Sequence, residues 1–157
     1  MRRKEREVTD KNRIIQIMKS NKVCRLGFVD EDSVYILPLS FGLLEEDEQL
    51  TLYFHSAMDG KKVGLIAQTD VVGFEMDGAY ELIAGDEEEH CTVKYQSIIG
   101  KGKLSIVEEA EEKNKGLSSL MAQHLGERAN WKFPQDLVDR TLVFKIEITK
   151  MSCKVHE

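Results

Sequence analysis

The fold class this sequence predicts is mainly β: an antiparallel barrel closed on itself, with a few helices at its periphery. Three observations carry that expectation. Six or more stretches show strand patterning and are joined mostly by short turns. Helical periodicity is confined to a few short segments. No regular alternation of strand and helix builds a doubly wound parallel sheet. The chain has 157 residues, 41% of them hydrophobic. That is apolar material for one core, and residues 1–157 are read as a single domain.

Asp10 is placed to cap a first helix carrying the apolar stripe Ile14, Ile15, Ile17 and Met18 and ending near Ser20-Asn21. A first strand follows over Val23 to Val29, then the polar turn Asp30 to Ser33 and a second strand over Val34 to Leu43. Pro38 inside that run lacks a donor for the ladder, which calls for an edge, a bulge or a ligand-facing position. The acidic turn Glu45 to Glu48 leads to a third strand, Gln49 to His55, and a second helix starts between Ser56 and Asp59. A fourth strand covers Val71 to Asp77, with Ile83 as its far limit. The Ala84 to Glu89 stretch is a solvated loop. A fifth strand runs from Cys91 to Ile99, and Gly100-Lys101-Gly102 bends it into Lys103 to Val107. A third helix opens in the charged Glu108 to Lys115 segment and closes at Gly126. After a Trp131 to Pro134 loop and a short helix at Gln135 to Asp139, the last strand, Leu142 to Ile148, has the cleanest alternation in the chain.

Composition excludes several function classes. The formal charge of -6 gives no bulk attraction to nucleic acid or to an anionic membrane surface. No apolar run reaches the ~18 residues that a membrane helix needs, and no signal-like segment follows the basic start, so a cytoplasmic location is expected. Three widely spaced cysteines, Cys24, Cys91 and Cys153, read as reduced thiols. Cys153 and His156 would point to opposite faces of a strand, so no metal site is expected. Neither a GxGxxG nor a GxxxxGK[ST] motif is present, so a nucleotide would have to be held another way.

The segment His55 to Lys62 is the one feature with ligand chemistry. A strand end turning into a helix start supplies free backbone amides, and Ser56, Lys61 and Lys62 add a hydroxyl and two cations, the groups a phosphate monoester needs. On local sequence alone the plainer reading is favoured, with solvated lysines and a strand-end histidine.

The whole chain resembles the flavin-binding split-barrel proteins related to pyridoxamine 5'-phosphate oxidase, and within them the 5-nitroimidazole resistance group. The residues carrying this are Met1 to Lys4, Glu7 to Asp10, Cys24 to Gly27, Tyr35 to Gly42, Leu52 to Ala57 with Gly60-Lys61-Lys62, Tyr95 to Gly102, and Val143 to Ile148. The resemblance implies a six-stranded antiparallel split barrel that forms a homodimer with two flavin sites between protomers. It implies FMN as cofactor in preference to FAD. His55, Ser56, Lys61 and Lys62 would surround the phosphate. Pro38, Leu39, Ser40 and Phe41 would line the isoalloxazine ring, and Ser97, Ile98 and Ile99 would join from a neighbouring strand.

It further implies a reductase that takes electrons from a transiently docked NAD(P)H to a small acceptor such as a nitro-aromatic compound. Two other readings stay open: a module that binds, stores or senses flavin without turnover, and a haem-binding split barrel. Where the family often has Asn, this chain has Ser40, and its Lys61-Lys62 pair is less fork-like than the Arg-Lys of the oxidases. His55 is either a proton donor to the substrate or a contact of the flavin phosphate and ribityl chain, the latter preferred. His90, His124 and His156 are read as surface residues, and Trp131 as a residue that could cover a partner's cofactor.

Overall fold

The computed structural model describes residues 3–85, 91–126 and 131–157. The acidic part of the Ala84 to Glu89 loop and His90 lie outside the described residues. A short 3-10 turn at Lys4–Arg6 leads to strand β1 (Glu7–Val8) and helix α1 (Lys11–Ser20). Then come β2 (Val23–Asp30), β3 (Ser33–Ser40), β4 (Gly42–Glu46) and β5 (Gln49–Ser56). Helix α2 (Lys61–Gln68) precedes the long strands β6 (Val71–Ile83) and β7 (Thr92–Val107). Helix α3 (Ala110–Leu125), the short α4 (Gln135–Asp139) and β8 (Leu142–His156) complete the chain. The Asp10 carboxylate accepts from the Arg13 backbone N–H at 2.8 Å, the N-cap the sequence predicts for α1.

The strands form one antiparallel sheet in the order β3-β2-β6-β7-β8-β5-β4, with β1 paired to β8. Strands β3 and β4 lie at opposite ends of that order, yet only Phe41 separates them in the chain. One residue spans a few ångströms, so the sheet rolls until its two edges meet at Phe41. The result is a barrel whose ladder stays open between β3 and β4. The single strand expected over Val34 to Leu43 is therefore two, because the chain changes edges at Phe41. Pro38 sits on the edge strand, where a missing N–H leaves no bond of the ladder unmade. The described strands number eight rather than six. The barrel interior is filled by Cys24, Leu26 and Phe28 of β2, Val72, Phe74 and Met76 of β6, Leu52 and Phe54 of β5, and Phe144 and Ile146 of β8.

The final strand runs eight residues past Ile148, to His156. In the β7–β8 register Lys101 pairs with Lys150 and Gly102 with Ile148, so Thr149 is an extra residue, a bulge. Its hydroxyl donates to the Lys101 carbonyl at 3.2 Å. Before the bulge, Phe144 and Ile146 point inward; after it, Cys153 and Val155 do. The phase of the alternation flips, which is why periodicity alone stops at Ile148. Strand β7 is continuous through Gly100-Lys101-Gly102, where a bend was expected, since the irregularity is absorbed by its partner.

Helix α3 crosses the outer face of β4, β5 and β8 and closes a second cluster of Tyr53, Val107, Leu117, Leu120, Val138 and Val143. Gly42 permits this approach: a Cβ there would overlap Ser119 Oγ and the Leu120 backbone nitrogen. The Tyr53 hydroxyl donates to Glu112 Oε1 at 3.0 Å, and Lys145 Nζ meets the same oxygen at 2.6 Å. Burial and the hydrogen bond to Glu112 push the Tyr53 hydroxyl above its ordinary range. The Lys145 contact holds the Glu112 carboxyl below its own. Among the described residues no helix is long and apolar enough to cross a membrane.

Candidate functional site

The basic turn forms where β5 ends. Gly60 takes φ 97, a left-handed conformation that favours glycine, and this break delays α2 to Lys61 instead of Ser56 to Asp59. Ser56 is buried, and its hydroxyl donates to the Ala57 carbonyl at 2.6 Å. Lys61 Nζ stands 2.5 Å from Asp30 Oδ2 of the β2–β3 hairpin and 5.6 Å from the centre of the Tyr35 ring. A phosphate at this turn therefore competes with Asp30 for Lys61. His55 is exposed at the strand end. Its pKa lies below the ordinary 6.5 because of partial desolvation, then the nearby His124, then Lys62. That places His124, from the last turn of α3, in the same cationic corner. Local sequence gives no sign of this, since nothing near His124 links a helix end to a strand about 70 positions earlier.

The ring-lining candidates divide by face. Pro38 and Ser40 are exposed on the outer side of β3, whereas Leu39 is half-buried toward the core. Phe41 is fully buried in the barrel, so its ring cannot line a site on the outer face, contrary to the sequence expectation. The same correction holds for Ile98, which is 0% exposed, while its neighbours Ser97 and Ile99 face outward. Alternation along a strand dictates both outcomes.

The register shows how far Ser97 to Ile99 lie from β3 within one chain. One outer row reads Pro38, Arg25, Glu75, Ile99; beside it Ser40 pairs with Val23, and Asp77 with Ser97. Strands β2 and β6 lie between, which separates the two groups by about 14 Å at ~4.8 Å per strand. Within one chain the structure brings Pro38 and Ser40 to one edge and Ser97 and Ile99 to the middle of the sheet. Arg25 lies between them, its Nη1 3.0 Å from Glu75 and 2.6 Å from Asp77. Around this ion cluster Val23, Val29, Val34, Ile36, Val71 and Ile99 are exposed.

The remaining candidates are quickly placed. Cys24 and Cys153 are buried, and burial pushes both thiols up, away from reactivity. Trp131 is partly buried, and its indole Nε1 is the one buried side-chain polar atom without a hydrogen-bond partner among the described residues. No three His, Cys, Asp or Glu side chains among the described residues converge as a metal site.

Comparison with known proteins agrees with this architecture. A candidate 5-nitroimidazole antibiotic resistance protein from Bacteroides thetaiotaomicron VPI-5482 superposes with a TM-score of 0.80 at 25% identity, over 95% of this chain and 86% of that one. The FAD and haem binding protein from Mycobacterium smegmatis gives 0.83 at 13% identity, over 97% and 74%. A flavocytochrome from Azotobacter vinelandii gives 0.77 at 14%, over 96% and 69%. At those lower identities the likeness is one of fold. No curated protein sequence matches. The sequence profile of pyridoxamine 5'-phosphate oxidase matches residues 10–155, nearly the whole chain. With the rolled, split sheet and the basic turn at its open edge, this chain belongs to the pyridoxamine 5'-phosphate oxidase family.

Proposed function

We propose that this protein is an FMN-binding flavoprotein, working as a homodimer that passes electrons from NAD(P)H to a small acceptor such as a nitro-aromatic compound. The observation that carries this reading is the pairing of a basic turn with an open edge strand. Ser56, Lys61 and Lys62 offer hydroxyl, amide and ammonium groups for a phosphate. Strand β3 has no ladder partner on its far side, so the outward-directed N–H and C=O groups along Pro38 to Ser40 are available to a planar heterocycle rich in donors and acceptors. The donor set fits a flavin mononucleotide: cations and amides at one end, backbone edge at the other.

When bound, the flavin supplies the hydride and electron chemistry. The chain holds the phosphate through Lys61, Lys62 and Ser56. It orients the ring on β3 and offers His55 near the phosphate end. The resistance relative supports a nitro-aromatic acceptor by its name alone. The homodimer is supported by the distance between β3 and Ser97-Ile99, which a second copy can close, and by the exposed apolar row around Arg25. A cytoplasmic setting suits the reduced thiols.

An absorbance scan of the purified protein, with mass spectrometry of released cofactor, tests the core of the proposal. Flavin bands and an FMN mass are expected. Colourless protein that retains no FMN on reconstitution overturns it, and an intense Soret band replaces flavin by haem. Steady-state NAD(P)H oxidation with a nitro acceptor separates a reductase from a binding module. Changing Lys61→Ala with Lys62→Ala should weaken FMN much more than riboflavin; equal loss would remove these lysines from the phosphate.

A further inference from the structure

A second cationic site lies at the other end of the sheet, where β1, β7 and β8 meet. A recess of about 500 Å³ is lined there by Arg3, Arg6, Tyr95, Lys154 and His156, among others. The Arg6 guanidinium approaches the Tyr95 hydroxyl at 3.5 Å through Nη1 and His156 Nε2 at 3.1 Å through Nη2. His156 Nδ1 lies 2.6 Å from the Val93 carbonyl, which can only accept. With Nδ1 donating to that carbonyl, Nε2 is the atom left to accept from Arg6. An arginine held by an imidazole nitrogen and a phenol gains no carboxylate from them. Arg3, Arg6, Lys154 and His156 take part in no ion pair among the described residues. Among the described residues the carboxylates of Glu5, Glu7 and Glu157 line an adjoining recess, which Arg6 and His156 share and Arg13 completes, and Arg13 holds Glu157 at 2.5 Å.

Three cations and a phenol converging on an open recess are unexpected in a chain of charge -6 unless an anion is taken there. The bulge at Thr149 creates the site, since it turns Lys154 and His156 outward onto the face of Tyr95 and Ser97. Tyr95 pairs directly with His156, and Ser97 with Lys154. The recess thus continues the outer row that carries Asp77 and Ser97. We propose that Arg3, Arg6, Lys154 and the Tyr95 hydroxyl form a second phosphate site, separate from the Lys61-Lys62 turn, that takes the pyrophosphate of a dinucleotide. Guanidinium groups bind such oxygens in a fork. The identity of that dinucleotide, FAD or the nicotinamide reductant, rests on the flavin reading above; the anion site itself does not.

Inorganic pyrophosphate is the probe, titrated calorimetrically at low salt into full-length protein carrying Lys61→Gln and Lys62→Gln, which silences the first basic turn. Binding that weakens as salt rises is expected, with a further loss of at least tenfold on adding Arg6→Gln and Lys154→Gln. No binding, or equal binding by the two proteins, overturns the site whether or not FMN is the cofactor. Should the fourfold variant fail to fold, NMR of the Arg6 guanidinium in the wild-type chain gives the answer. Pyrophosphate should shift the Arg6 Nε–H signal, and an unchanged signal overturns the proposal. The source is read from Arg6→Gln with Lys154→Gln in an otherwise wild-type chain. Weaker FAD at constant FMN affinity assigns the pyrophosphate to the flavin; weaker NAD(P) binding at a constant FAD to FMN ratio assigns it to the reductant.

Discussion

The two halves of the outer sheet surface are finished differently. Over β4, β5 and β8 the chain covers its own sheet: α3 lies on Gly42 and Tyr53, and Val143 and Tyr53 are buried beneath it. On β3, β2, β6 and the middle of β7 the outward apolar side chains are left bare: Val29, Val34, Ile36, Val71 and Ile99 remain between 57% and 81% exposed. Apolar side chains alternate outward in both halves. One half is therefore a core completed within the chain, and the other leaves its apolar side chains at the surface, where the proposed dimer would use them.

The largest expected effect comes from breaking the covered half. Gly42→Val places side-chain carbon where Ser119 and the α3 backbone already are, and should cost about 3 kcal/mol in urea unfolding by overpacking alone. Next is the open half. Ile36→Glu with Ile99→Glu should leave the unfolding midpoint of the isolated chain nearly unchanged while shifting the light-scattering mass of the proposed dimer to that of one chain. If mass and midpoint fall together, the open half is core rather than interface.

Smaller effects sharpen the same contrast. Glu112 anchors α3 to Tyr53 and Lys145, and Glu112→Gln should cost about 1 kcal/mol at pH 7. Because its folded pKa lies below the ordinary 4.5, that stabilisation is fully present above pH 4.5 and is lost as pH falls through the folded value. The difference between wild type and variant should accordingly shrink in acid. His55, at the border of the two halves, is shifted in the same direction. Its folded pKa is depressed below 6.5, so below that pH the unfolded chain takes up the proton more readily and the fold is weakened. The effect should be small at an exposed site. Proton NMR titration should give His55 a value below 6.5 in the free protein and a higher one with a bound phosphate monoester. A rise absent with FMN bound would separate His55 from the phosphate.

Much of the fold was legible because the barrel core is written in period two. Leu50, Leu52 and Phe54 alternate with Thr51, Tyr53 and His55, and the Asp10 cap announces α1. The reading failed where one residue changes the frame. Phe41 carries the chain between sheet edges, and Thr149 flips the phase of β8, each without breaking hydrophobicity in the window around it. The basic turn was legible as a cluster of residue types. The distribution of its proposed companions was not: Phe41 and Ile98 turned out to face the core, and His124 joined His55 from a distant helix.

By itself the sequence determined a β-rich chain, the Asp10 cap of its first helix, an inward set of apolar residues and a basic turn from Ser56 to Lys62, because each is set by neighbours within a few positions. Only the tertiary structure decided which rows of side chains share a face. It put Pro38, Arg25, Glu75 and Ile99 in one line, left that line uncovered, and gathered Arg3, Arg6, Tyr95, Lys154 and His156 from the two ends of the chain and its middle. The physical reason is register. Pairing between distant strands fixes lateral neighbours, and a single bulge is enough to choose which side chains meet solvent and which meet the core.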